Sequence, residues 1–244
     1  ACTVFTMDTP QGPVCGYNVD LFIPGDGLLF VNQRGMQKIS HQASKDGKQI
    51  QWISKYGSVT FNLAGREFAQ NGMNETGLVV TSLQLLAGEF PSRNDTRLPL
   101  TIGTWAQCVL DTCATVQDVI DMDKTVRIQD TAPCTHFFVS DAQGNSAAIE
   151  WIDGKMVHYS GDTLPVKAMS NMPYGRAAEA LKRGGSKWWW SNPGQSAERF
   201  AACYKRNNSY PRNSSVNPVT YAFETLTQFV PAGHTRWNIV YDIA

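Results

Sequence analysis

The chain has 244 residues, 42% hydrophobic and 17% charged, with Lys+Arg and Asp+Glu matched at 21 each. That balance gives no field to gather nucleic acid or an anionic membrane, and the length suits one globular domain over residues 1–244. No apolar run is long enough to span a bilayer, and the chain contains no secretory signal.

Ala1-Cys2-Thr3 opens the chain. A cysteine carrying a free α-amine holds nucleophile and base in one residue, because a thiol near ~8.5 and an amine near ~7.7–8.0 are closely matched. While Ala1 is attached, the Cys2 nitrogen is an amide and no base, so the sequence reads as a precursor. Ala1 suits the last residue of a removed export signal or a remnant of expression. An exported location, periplasmic or secreted, is therefore favoured over a cytoplasmic one.

Residues 2–9 and 14–22 read as strands around Pro10-Gln11-Gly12-Pro13, a turn in which both prolines fix φ and Gly12 relaxes it. Antiparallel pairing across that turn brings Asp20 roughly opposite Thr3, within reach of the Cys2 thiol and amine. A carboxylate there would hold the α-amine. Further strands are expected at 28–32, 50–54, 59–63 and 78–85, punctuated by Gly25-Asp26-Gly27, Asp46-Gly47, Tyr56-Gly57 and Asn71-Gly72. The period then changes. Trp105, Cys108, Val109, Leu110 and Cys113 share one face of a helix from about Thr101, and Thr115 with Asp118 forms a capping box for a second.

Strands at 135–140, 146–151 and 155–159 follow, joined by turns at 141–145 and Asp153-Gly154. The last third is helical around 174–183 and 197–207. Asn217-Pro218 opens another helix, and a β stretch at 236–243 closes the chain. Segregated runs of strands and helices imply an α+β layered fold.

Six cysteines (Cys2, Cys15, Cys108, Cys113, Cys134 and Cys203) show no CxxC pair and no zinc-ligand spacing. They read mostly as small buried apolar residues, with a disulfide or two left open for an exported protein. His41, His136, His158 and His234 have no ligand spacing and read as structural. Lys182-Arg183 with Lys187 reads as a solvated loop. Trp188-Trp189-Trp190 suits either a hydrophobic pocket wall or an oligomer contact, and Asn74-Glu75-Thr76, a glycosylation pattern, reads better as a turn.

Five stretches belong together: Cys2-Thr3, Gly16-Tyr17-Asn18-Val19-Asp20, Asn74-Glu75-Thr76-Gly77-Leu78, Ser170-Asn171-Met172-Pro173, and Pro193-Gly194-Gln195-Ser196-Ala197-Glu198-Arg199-Phe200. In this order the chain resembles, over nearly its whole length, the choloylglycine hydrolase family of N-terminal-nucleophile hydrolases, which includes bile salt hydrolases and penicillin V acylases. The resemblance implies a four-layer αββα sandwich and hydrolysis of a linear amide by an N-terminal cysteine. At matching positions it makes Cys2 nucleophile and base, Asp20 the group that positions the amine, Asn171 a site residue and Arg199 a nearby cation. Acyl transfer also needs donors aimed at the oxyanion; the Asn171 amide, the backbone beside Cys2 and Gln84 are the candidates.

Three positions depart from the family. Tyr17 stands where many members carry Arg, Gln84 where relatives place Asn or an aromatic, and Leu21 where an aromatic is common. The chain is also shorter than most members, stopping where a further strand is expected and leaving an open sheet edge. The expected activity is an amidase on a small-molecule N-acyl compound with an apolar acyl group, of the penicillin V, N-acyl homoserine lactone or conjugated bile acid type. No cofactor or metal and no nucleic-acid partner is expected, and a homo-oligomer is left open. Alternatives are a catalytically silent member that binds N-acyl ligands, and a peptide- or ceramide-type amidase on the same fold.

Overall fold

The computed structural model describes residues 2–21, 27–63, 65–66, 68–184, 196–212, 215–229 and 235–243. Strands β1 (Thr3–Thr9) and β2 (Gly12–Asp20) open the chain. They are followed by β3 (Leu28–Asn32), β4 (Gln37–Ile39), β5 (Gln51–Ile53), β6 (Ser58–Asn62), β7 (Ala69–Asn74), β8 (Val79–Gln84) and β9 (Leu98–Leu100). Next come helices α1 (Ile102–Thr112) and α2 (Val116–Asp121), then β10 (Val126–Ile128), β11 (Thr135–Ser140), β12 (Ser146–Ile152), β13 (Lys155–Ser160) and β14 (Ala168–Ser170). Helices α3 (Tyr174–Lys182), α4 (Ser196–Asn208) and α5 (Pro218–Thr227) precede β15 (Thr235–Asp242).

Two sheets carry the fold. One runs β14-β1-β2-β15 and the other β13-β12-β11-β8-β7-β6-β3. Their facing strands are buried on both sides, so alternate residues feed different cores. Val4, Tyr17, Val79, Leu83 and Phe138 pack in one cluster with Phe200 of α4 and Tyr221 and Leu226 of α5. Val80, Phe137 and Trp151 instead join Trp105 and Val109 of α1 in the other, with the Trp105 and Phe137 rings 4.4 Å apart. Helices α4 and α5 cover the four-stranded sheet and α1 covers β7 and β8. The result is the expected four-layer αββα sandwich, with β15 at an edge of the smaller sheet.

Local chemistry places most element ends. Thr101 caps α1 and Thr115 caps α2, each through a reciprocal capping box. Asn217 accepts from Thr220 N in front of Pro218. Asp153 and Gly154 both have positive φ, 50° and 72°, as a tight hairpin turn between β12 and β13 demands.

Two expectations are corrected. Asn71-Gly72 is not a turn but lies inside β7. A Cβ on Gly72 would come within 2.6 Å of the Val59 carbonyl oxygen and 2.9 Å of Leu110 Cδ1, so this glycine lets the neighbouring strand and α1 approach. The first hairpin also turns more tightly than expected. Thr9 pairs with Gly12, leaving Pro10-Gln11 as the loop, and Thr3 faces Asn18 rather than Asp20. Because the shift is two residues, every side chain keeps its face. It carries Asp20 past Thr3 to the level of the chain start.

Asn74 is 2% exposed and ties the β7–β8 turn to α1. Its Nδ2 donates to the Leu110 and Cys113 carbonyls at 2.9 and 2.8 Å, while its Oδ1 accepts from the Thr76 and Leu78 amides and the Thr76 hydroxyl. The glycosylation pattern is therefore spent on a buried turn. Asn74→Ala should cost about 3 kcal/mol or more, since several buried groups lose their partner together. Urea unfolding monitored by circular dichroism checks this.

Candidate active site

Cys2 sits immediately before β1, 5% exposed, in the layer between the two sheets. Its Sγ donates to the Asp20 carbonyl at 3.9 Å. Its backbone nitrogen donates to Asn171 Oδ1. Asn171 follows β14, the strand that pairs with β1 through Thr3↔Ser170, so sheet register alone brings Cys2 and Asn171 together. The other end of the Asn171 amide is also held, Nδ2 donating to the Gln84 carbonyl at 2.9 Å.

Arg199, on the first turn of α4, reaches the opposite side of β1 and is 1% exposed. Its Nε donates to Thr3 Oγ1 at 2.8 Å, and its Nη2 donates to Asn171 Oδ1 at 3.1 Å and approaches the Cys2 carbonyl at 3.4 Å. One guanidinium thus fixes the two residues that flank the thiol. Burial lowers its proton affinity, opposed by the charges of Asp20 and Cys2, and an Arg so placed stays charged. Asp20 is 3% exposed and accepts from Thr235 Oγ1 of β15.

Burial raises the Cys2 thiol above its ordinary value, opposed first by a hydrogen bond of the Asp20 backbone and least by the Tyr17 phenol. Tyr17 is fully buried and donates to the Ser82 carbonyl on the facing sheet. Burial, then the neighbouring Cys2, holds this phenol well above its usual range, so it brings no charge to the thiol. A Tyr17→Arg substitution would bury a guanidinium there, which makes Tyr17→Phe the cleaner probe. Losing a group that lowers the thiol should move the pH profile of Cys2 alkylation by iodoacetamide upward. Unchanged profiles would assign Tyr17 to packing alone.

A cavity of about 400 Å³ opens beside the thiol. Cys2, Asp20, Leu21, Gln84 and Asn171 line it, bringing five sequence candidates to one surface. Tyr17 lies against the thiol and Arg199 behind it, outside that lining. The sequence did not point to the remaining wall: Gln70 from β7, Ile102 from α1, Ala132 and Pro133 from the loop before β11, and Thr135 from β11. These residues carry no motif and converge only in the fold.

The other candidates lie elsewhere. All six cysteines are free and buried, so no disulfide forms. Burial pushes Cys15 and Cys113 up to about 12 and Cys134 to about 11. His136 is buried against Glu150, Nδ1 to Oε1 at 2.9 Å, and the same oxygen accepts from the Tyr174 amide that opens α3. Among the described residues no His/Cys/Asp/Glu group is arranged to hold a metal, and no helix is long and apolar enough to cross a membrane. Lys187, Trp188-Trp189-Trp190, Pro193-Gly194 and His234 lie outside the described residues.

A buried thiol at a chain start, a carboxylate beside it and an amide side chain on its nitrogen form an arrangement suited to acyl transfer. The chain matches the linear amide C-N hydrolases, choloylglycine hydrolase family, over residues 2–176, and it belongs to that family. It is similar to a penicillin V acylase of Pectobacterium atrosepticum, 30% identical over 191 residues that cover 71% of this chain and 50% of the relative. The chain thus spans about half the length of that curated relative.

Among solved structures, a penicillin V acylase from Agrobacterium tumefaciens superposes with a TM-score of 0.84 at 27% identity, covering 99% of this chain and 80% of the other. A conjugated bile acid hydrolase from Clostridium perfringens superposes with a TM-score of 0.77 over 96% of this chain and 83% of the other. At 14% identity that second likeness concerns the fold.

Proposed function

We propose that this protein hydrolyses the linear amide bond of an N-acyl compound with an apolar acyl group, using Cys2 with a free α-amine as nucleophile. The observation that carries the reading is the meeting of Cys2, Asp20 and Asn171 on one cavity, with Arg199 bracing Thr3 and Asn171 from behind. Family membership supports the bond type, and the apolar wall of Leu21, Ile102, Ala132 and Pro133 supports an apolar acyl group.

In the proposed reaction the α-amine takes the thiol proton and Sγ attacks the amide carbon. The oxyanion is met by the Asn171 amide, whose contact with Gln84 O occupies one of two hydrogens, and by the Gln84 side chain. Collapse breaks the C–N bond while the ammonium proton passes to the leaving amine. The α-amine then takes a proton from water, hydroxide attacks the thioester, and the C–S bond breaks to return the thiol and release a carboxylic acid. Asp20, beside the thiol, and Asn171 Oδ1, on the nitrogen, orient the amine throughout.

The test is a panel of penicillin V, an N-acyl homoserine lactone and a glycine-conjugated bile acid, with released amine measured by mass spectrometry. Hydrolysis of at least one is expected, abolished by iodoacetamide and lowered about 10²–10³-fold in Asn171→Ala. Near-normal turnover in a folded Asn171→Ala protein would remove that residue from the site. A folded, processed protein that hydrolyses none, yet binds one, would instead favour a silent N-acyl-binding member.

A further inference from the structure

We propose that Glu150, held in place by His136, is a positioning residue that acts through Asn171. The inference rests on the hydrolase reading above and deepens it: a buried pair behind the cavity wall sets where the Asn171 amide stands against the amine and the oxyanion.

Asn171 lies on the short link between β14, which ends at Ser170, and α3, which begins at Tyr174. The link is fixed at its first end. Ser170 pairs with Thr3, and its hydroxyl donates to the Ser196 carbonyl at 2.7 Å. The second end needs an anchor of its own, because the first amides of a helix have no partner within it. Pro173, just before α3, carries no side chain able to cap the helix, and no side-chain cap forms there. Glu150 supplies the acceptor from β12 instead, taking the Tyr174 amide on Oε1 at 2.8 Å. A carboxylate in that position also meets the favourable end of the helix dipole.

His136 holds the carboxylate there. It stands on β11 one residue beyond the Phe137↔Ile149 pair, across from Glu150, and both side chains are buried. Its Nδ1 lies 2.9 Å from the same Oε1, while its Nε2 has no hydrogen-bond partner. A proton on Nε2 would be a buried donor without an acceptor, so the ring keeps its proton on Nδ1 and donates it to Glu150. Tyr174 is braced beyond the anchor as well. Its phenol donates to the Val166 carbonyl at 2.9 Å and accepts from the Val166 amide at 3.1 Å, and its ring packs against Phe200, the neighbour of Arg199. Losing the Glu150 contact therefore releases the Tyr174 amide and the link that carries Asn171.

A double-mutant cycle tests this on enzyme beginning at Cys2, with whichever compound of the panel above it hydrolyses. Glu150→Met fills the same space without an acceptor, and Glu150→Gln keeps one. Glu150→Met should lower kcat about 10- to 100-fold, the scale of a displacement of up to an ångström. KM should move by less than about threefold, because Glu150 is not among the residues lining the cavity. Glu150→Gln should restore kcat to within about threefold of the parent. In an Asn171→Ala background, Glu150→Met should lower kcat by less than about twofold further, since the group it positions is already gone. His136→Leu leaves the acceptor but frees it, so it should show the same pattern with a smaller loss, and it replaces Glu150→Met in the cycle if that variant does not fold.

A loss of equal size in both backgrounds would overturn the positioning role while leaving the hydrolase reading intact. So would a kcat in Glu150→Gln as low as in Glu150→Met, or a normal kcat in folded Glu150→Met. Failure of both Glu150→Met and His136→Leu to fold would assign the pair to stability alone and overturn the role too. If the parent enzyme hydrolysed no compound of the panel, with Cys2 still open to alkylation, the hydrolase reading would fall and this inference with it.

Discussion

Cys2→Ala is expected to abolish amide hydrolysis, by about 10⁴-fold or more, without unfolding the protein. The thiol is the one group at this site able to form the thioester, and no other described cysteine lines the cavity. Structurally the change is small. Cys2 precedes the first paired strand, its Sγ makes a long contact to a carbonyl, and its backbone contact to Asn171 survives the substitution. Removing one sulfur from this position should cost about 1 kcal/mol. Thermal melting beside a turnover assay separates the two outcomes. Residual turnover well above that of the buffer would move the nucleophile elsewhere.

Asp20→Asn should come next in size, lowering the rate about 10²–10⁴-fold, the range for a lost acid–base partner. Asn has the same shape and keeps an acceptor for Thr235 Oγ1, so the β2–β15 junction should hold. What disappears is the negative charge beside the amine and thiol. Because Asp20 charge raises the thiol, the variant should also move Cys2 alkylation to lower pH while turnover falls. A purely structural role would lower turnover and stability together and leave the alkylation profile where it was. Near-normal turnover in a folded variant would withdraw Asp20 from the chemistry.

The readable parts of the sequence were those with local chemistry. Thr101, Thr115 with Asp118, Asn217-Pro218 and Asp153-Gly154 each act within a few residues, and each element begins or turns where they stand. β7 was not readable, because AQNGMN has neither alternation nor β-branched residues, and it persists between β6 and β8 with Gly72 packed beneath Leu110. The first hairpin was readable in kind but not in register, since Gly12 and Pro13 join the ladder instead of the turn.

The site divides along the same line. Cys2, Asp20, Asn171 and Arg199 stand in motifs whose order survives as a cluster, through the β1–β2 and β1–β14 pairings and the approach of α4. Gln70, Ile102, Ala132, Pro133 and Thr135 had no such signal. Their meeting depends on β7, α1 and β11 packing together, which is a property of the tertiary fold. The disulfide left open by the cysteine count does not form. Away from the cavity, Cys15, Cys113 and Cys134 are instead buried thiols, which burial raises and keeps protonated at neutral pH.

The central claim is that Cys2 acts through its own free amine, and intact-mass spectrometry of enzyme quenched during turnover tests it most directly. Protein beginning at Cys2 should carry the mass of a substrate acyl group, and the adduct should vanish in Cys2→Ala. Protein retaining Ala1 should carry none and turn over negligibly, because its Cys2 nitrogen is an amide. Full turnover by a preparation in which every molecule retains Ala1 would contradict the account.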